Sequence, residues 1–221
     1  PLASKVGVMI LKKGGNAIDA AIATKLALAV VYPAAGNIGG GGFMVAHLND
    51  GRNITLDFRE KAPGKAHRDM YLDSAGNADL DKSQYGHLAA GVPGSVAGLF
   101  AAHTYARLPF RDLIAPAIEL AEKGFRITEE EAEGLNSERE NFLKYNTTST
   151  VFTKKNPWKA GDTLVQKDLA NTLRRISKRG MKGFYAGKTA KLLVAEMKRG
   201  GGIISRKDLK DYKAVSRNPS A

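Results

Sequence analysis

Between Gly36 and Pro63 the chain reads GNIGGGGFMVAHLNDGRNITLDFREKAP. Two apolar segments, FMVAHL and NITLDF, flank Asn49-Asp50-Gly51, a turn sequence that joins antiparallel strands. In strand alternation Ile54, Leu56 and Phe58 share one face, and Thr55, Asp57 and Arg59 share the other. Ahead of this hairpin stand Gly39, Gly40, Gly41 and Gly42 in an unbroken run. Such a run costs conformational entropy on folding, so it persists where a side chain would clash or where φ must be positive. Close packing of two elements meets that description, and so does shaping of a binding site. Arg59 ends the second strand. Its guanidinium can hold a carboxylate through two parallel hydrogen bonds, or form a local salt bridge with Asp57 or Glu60.

Helices are expected on either side of the hairpin. Val6, Val8, Met9, Ile10 and Leu11 belong to a first helix that should stop at Lys12-Lys13-Gly14-Gly15. Asn16 is placed to cap a second helix, AIDAAIATKLALAVVY, which Pro33 ends. That helix is apolar on almost every side and should be buried on almost every side. Downstream, GVPGSVAGLFAAHTYA reads as a loop and a small-residue helix that packs closely. An amphipathic helix follows, with Leu113, Ile114, Ile118 and Leu120 at helical spacing and Gly124 as its stop. Thr128 and Glu131 form a capping box. From Asp162 onward the pattern is helix, turn, helix, and a short helix capped by Ser205. The class is α+β, many helices around few strands.

Composition bounds the function. A chain of 221 residues with 43% hydrophobic residues can bury a substantial core. It has no Cys, hence no disulfide framework and no thiol chemistry. The most apolar run, AIATKLALAVVY, carries Lys25 and falls short of the ~18 residues a membrane span needs. The net charge of +12 is concentrated in residues 154–221, a basic helical part of the same domain, which holds 18 Lys and Arg against 5 Asp and Glu. Aromatic residues are not interleaved with that charge, so solvated helix faces explain it better than a nucleic-acid surface. Several motifs fail on inspection. The glycine run fits no G-x-G-x-x-G register and leads to no Gly-Lys-Ser/Thr. In PGSVAG, Pro93 stands where a nucleophile elbow needs glycine. His47, His67, His87 and His103 show no ligand spacing. No cofactor and no metal is expected.

The blocks ILKKGGNAIDAAIA, YPAAGNIGGGGFM, LDFREKAP, HLAAGVPGSVAGL, LIAPAIELAEKGF and DLKDYKAV, in this order, resemble the large subunit of γ-glutamyltranspeptidases. The resemblance runs from Pro1 to about Val215, and GNIGGGGFM followed by DFRE is its most specific part. It implies that residues 1–221 form one partial domain, a large-subunit segment within the four-layer αββα sandwich of the N-terminal-nucleophile hydrolases. It also implies a precursor that cleaves itself, and a small subunit whose first residue is the nucleophilic Thr. That Thr attacks γ-glutamyl amides such as glutathione, and water or an amine acceptor resolves the acyl-enzyme. The oxyanion-hole glycines also belong to the small subunit. Here the only double Thr is Thr147-Thr148, in TTST, and no His follows it. This chain is therefore expected to hold no catalytic residue of its own.

By the same resemblance Arg59 binds the substrate α-carboxylate. Asp57 and Glu60 orient it, and Gly39–Gly42 let the backbone pack beneath the site. A periplasmic or secreted location is implied. Related cephalosporin or glutaryl acylases, poly-γ-glutamate-processing enzymes and a noncatalytic polyanion-binding paralogue are the alternatives. Retention of DFRE favours a γ-glutamyl substrate with a free α-carboxylate.

Overall fold

The computed structural model describes residues 1–218. Its first two elements are helices α1 (Leu2–Lys12) and α2 (Ala17–Val31). Strands β1 (Phe43–His47) and β2 (Asn53–Asp57) form the hairpin. Then come α3 (Leu80–Gln84), α4 (Ser95–His103), α5 (Phe110–Lys123), β3 (Phe125–Arg126), α6 (Glu129–Ser137) and α7 (Arg139–Tyr145). The last part holds β4 (Thr163–Leu164), α8 (Lys167–Arg179), α9 (Lys182–Tyr185), α10 (Gly187–Arg199), α11 (Arg206–Asp211) and β5 (Val215–Arg217).

Helix α2 is the centre of the helical layer. It packs on α1, α4 and α5, and α5 packs in turn on α8. Ile22, Ala23, Leu26, Ala27 and Val30 of α2 meet Leu113, Ile114 and Ala117 of α5 in one continuous core. The expected Asn16 cap is present: its side chain accepts from the Asp19 amide, and Asp19 accepts from the Asn16 amide. Asp19 is fully buried and also accepts from the amides of Arg107 and Leu108, so one carboxylate ties the start of α2 to the end of the loop before α5. Burial of that charge is tolerable because three backbone amides donate to the carboxylate in place of its water. Thr128 and Glu131 make the expected capping box of α6, and Gly124 ends α5 at φ +80°.

The main sheet has the order β1-β2-β5, all antiparallel. Phe43 lies opposite Asp57 and Val45 opposite Thr55, while Asp57 and Thr55 face Val215 and Arg217 on the other side. Leu56 and Phe58 point into the helical layer and are buried. The opposite face is bare: Phe43 is 60% exposed and Val45 74%. The third strand, β5, is three residues long, exposed throughout and absent from the sequence expectations.

A polar tether closes the far side. Glu196 of α10 accepts from the Thr147 hydroxyl at 2.6 Å, is 2.8 Å from His87 Nε2, and pairs with Arg199. The TTST stretch thus belongs to a structural loop. The Thr147 hydroxyl, with help from His87 and Arg199, pulls the Glu196 carboxyl down to about 2 from its ordinary 4.5.

Two outcomes follow. Asp19→Ala leaves buried amides without acceptors and should cost about 3 kcal/mol, read as a fall in the thermal midpoint. Because the Glu196 pKa is depressed on folding, its contribution is full above about pH 4.5 and fades as pH falls toward 2. The gap in thermal midpoint between wild type and Glu196→Gln should therefore close over that window, and a gap independent of pH would refute the tether's electrostatic role.

Candidate functional site

Arg59 lies two residues beyond β2, where the chain leaves the sheet. Its backbone is fixed from three sides. The amide donates to Asp57 Oδ1 at 3.0 Å, and the carbonyl accepts from the Tyr212 hydroxyl at 2.6 Å. On the third side lies the glycine run. A Cβ on Gly41 would stand 2.6 Å from the Phe58 carbonyl oxygen, 2.7 Å from the Glu60 amide nitrogen and 2.8 Å from Arg59 Cα. No side chain fits between the two backbones. Gly42 continues the contact, since its carbonyl accepts from the Phe58 amide and its Cα faces the Phe58 ring.

The four glycines do different things. Gly41 is held by backbone on its partner segment. A Cβ on Gly40 would meet Asn37 Oδ1 at 2.7 Å and Glu60 Oε1 at 3.0 Å, and the Gly40 carbonyl accepts from the amides of Gly94 and Ser95. The run is thereby tied to the start of α4. Gly39 faces nearly open space. Positive φ is not the reason for any of them.

Helix α4 supports the site from below. A Cβ on Gly98 would enter the Phe58 ring at 2.1 Å, and one on Gly94 would strike the Phe58 carbonyl at 1.9 Å and the Tyr212 hydroxyl at 2.1 Å. These two glycines sit four residues apart on one helix face, which lets Phe58 lie directly on the helix backbone. An isolated bridge between Lys61 and Val92 continues the contact.

The Arg59 side chain is free where its backbone is not. It is exposed, and among the described residues its guanidinium makes no ion pair; its contact is the Phe43 ring, 5.9 Å from the centroid. The local salt bridge to Asp57 or Glu60 is not formed. Asp57 instead pairs with Arg217 of β5, whose Nε is at 2.8 Å and whose second nitrogen is at 2.6 Å. The Arg59 amide first, then Arg217, hold the Asp57 carboxyl below the usual carboxylate range. Asp57 therefore touches Arg59 through the main chain, and Glu60 lies against Gly40 and Gly91. The site offers a fixed cation on the bare face of a sheet. Among the described residues no cluster of acidic residues, His or Cys could hold a metal.

Arg59 and the glycine run, both singled out in the sequence, lie side by side in the structure. Tyr212, Arg217, Gly94 and Gly98 join them there and carry no comparable mark in the sequence. The spacing of Gly94 and Gly98 was the available signal for a close approach, whereas nothing near Tyr212 pointed 153 residues back along the chain.

Known proteins share this arrangement of the chain. A family model described as Gamma-glutamyltranspeptidase matches residues 3–221. The glutathione hydrolase proenzyme of Pseudomonas sp. (strain A14) is 54% identical over 215 residues, which cover 96% of this chain and 37% of that protein. The glutathione hydrolase proenzyme of Escherichia coli (strain K12) is 46% identical over 220 residues, 98% of this chain and 38% of that protein. The crystal structure of Helicobacter pylori γ-glutamyltranspeptidase superposes with a TM-score of 0.96 at 52% identity, over 100% of this chain and 64% of that one. The chain thus spans well under half the length of these curated relatives.

Gly41→Ala should drive the two backbones apart, at a cost of at least about 2 kcal/mol in unfolding free energy measured in urea. Gly39→Ala, which meets open space, should change it by less than about 1 kcal/mol. Equal effects of the two would contradict the contact.

Proposed function

Because this chain belongs to the γ-glutamyltranspeptidase family, and so to the N-terminal-nucleophile hydrolases, we propose that it is the large-subunit part of an enzyme that cleaves γ-glutamyl amides. Glutathione and other γ-glutamyl compounds are the substrate class. Arg59 binds the α-carboxylate of the γ-glutamyl group. The observation that carries this reading is the contrast at Arg59: a backbone pinned on three sides and a guanidinium with no acidic partner among the described residues. A structural arginine spends its charge inside the protein. This one presents it on the open face of the sheet.

The chemistry of the clamp is simple. A guanidinium fork matches both oxygens of a carboxylate, and its charge does not titrate in the working pH range. With the α-carboxylate anchored, the γ-carbonyl lies at a fixed reach from Arg59, three methylene or methine carbons away. Orientation of that kind converts a loose encounter into a defined attack geometry. Asp57 and Gly41 serve the clamp by fixing the Arg59 main chain, and Glu60 borders it.

The remaining parts come from the rest of the precursor. The nucleophile is the Thr that opens the small subunit, activated by its own α-amino group. The γ-glutamyl ester it forms is resolved by water or by an amine acceptor. The small subunit contributes a second sheet that covers Phe43 and Val45, as sheet-on-sheet packing requires of a bare apolar face. Among the described residues no helix is long and apolar enough to cross a membrane. A periplasmic or secreted location completes the proposal.

The test uses the full-length protein and L-γ-glutamyl-p-nitroanilide. Arg59→Ala should still mature into two subunits yet lose about 2–5 kcal/mol in kcat/KM, mostly through KM. Arg59→Lys keeps the charge without the fork and should fall between. Unchanged kcat/KM in Arg59→Ala would remove Arg59 from the site.

A further inference from the structure

The segment from Ser205 to Arg217 crosses the Arg59 region and grips it at four places. Arg217 binds the Asp57 carboxylate. The Tyr212 hydroxyl donates to the Arg59 carbonyl at 2.6 Å. Lys61 Nζ donates to the Lys213 carbonyl at 3.2 Å. The Gly64 amide donates to Asp208 Oδ1 at 2.7 Å. The ends of the two segments match in antiparallel sense, Asp57 with Arg217 and Gly64 with Asp208, and Arg59 and Lys61 meet Tyr212 and Lys213 between them. More than 140 residues separate the partners in every case.

From this arrangement we infer that α11 and β5 form a positioning strap for Arg59, with Tyr212 as its working residue. The inference rests on the assignment of Arg59 as the carboxylate clamp. Tyr212 touches no substrate; it acts through the Arg59 main chain.

The surroundings of Tyr212 fit that task. The residue is 4% exposed, and its ring lies parallel to that of Tyr185 at 5.9 Å. Lys61 Nζ stands over the ring at 5.1 Å. The Tyr185 hydroxyl donates to the Pro93 carbonyl at 2.8 Å and accepts from the Ala97 amide at 3.2 Å. The stacked pair thus joins the Arg59 carbonyl to the start of α4, the same helix end that Gly40 holds. Gly94 is bare where the Tyr212 hydroxyl passes. Burial, with the charges of Asp57 and Glu60, pushes the Tyr212 phenol up to about 12. The hydroxyl therefore remains a donor throughout the range in which such an enzyme works. A donor that keeps its proton over that range holds the Arg59 carbonyl in the same way across it.

Two donors separate a positioning role from a structural one. L-γ-Glutamyl-p-nitroanilide carries the α-carboxylate; 4-aminobutyryl-p-nitroanilide has the same reacting amide and lacks it. In the full-length protein, Tyr212→Phe keeps the ring and removes the hydroxyl. It should raise KM for the carboxylate donor roughly three- to tenfold, with kcat changed less than about twofold. With the des-carboxy donor both constants should match wild type. Similar losses with both donors, or a fall in kcat alone, would overturn the strap. Wild type that does not discriminate between the donors would instead sink the clamp assignment, which is a separate outcome. If Tyr212→Phe fails to mature, Asp208→Ala, which removes the acceptor of the Gly64 amide, tests the same strap. It removes a negative charge, so electrostatics alone would favour the carboxylate donor. A selective rise in KM for that donor supports the strap, and an unchanged or lowered KM overturns it.

Discussion

The contact between two backbones, Gly41 on one side and Phe58 to Glu60 on the other, is the constraint around which the structure is arranged. A single methyl group at Gly41 would lie within 2.6–2.8 Å of three main-chain atoms. Main chain cannot move aside as the end of a side chain can. The loop that follows α2 must therefore run bare past the end of β2. Its approach is matched from the other side by α4, where Gly94 and Gly98 admit Phe58 onto the helix backbone. Phe58 is held between a loop and a helix, each stripped of side chains at the point of contact. Arg59 is the next residue and inherits that rigidity.

Energy and function are divided between the two sides of the sheet. Leu56 and Phe58 face the helical core and contribute burial. Thr55, Asp57 and Arg59 face the other way, beside Phe43 and Val45, which remain exposed. A soluble protein rarely leaves large apolar side chains in a row on a strand unless something covers them. The second sheet proposed for the rest of the precursor would account for the bare face. Arg217 spends its charge on Asp57 of this face, whereas the Arg59 guanidinium stands at the edge with no ion pair among the described residues.

Much of this was legible in the sequence, and the illegible part has a physical cause. Caps and stops are local: Asn16 with Asp19, Thr128 with Glu131, and Gly124 each act within a few residues, so their reading matches the structure. The hairpin around Asn49-Asp50-Gly51 is equally local. The glycine run announced a close approach but not its object. Only coordinates separate Gly41, pressed on backbone, from Gly39, which faces open space. Strand β5 is too short and too exposed to show alternation, and Arg217 takes Asp57 from the other end of the chain. A local salt bridge between Asp57 and the Arg59 side chain was the simplest sequence reading. Occupation of Asp57 by Arg217 is what leaves the Arg59 guanidinium available. The resemblance to γ-glutamyltranspeptidases, carried by GNIGGGGFM and DFRE, assigned a role to that arginine which spacing alone left open.

The most direct measurement is a crystal structure of the full-length protein with L-glutamate, the product of γ-glutamyl hydrolysis, bound in the site. The account predicts both α-carboxylate oxygens within about 3 Å of the Arg59 guanidinium, with the Tyr212 hydroxyl still on the Arg59 carbonyl. An α-carboxylate bound elsewhere, with the Arg59 guanidinium turned onto Asp57 or Glu60, would contradict it.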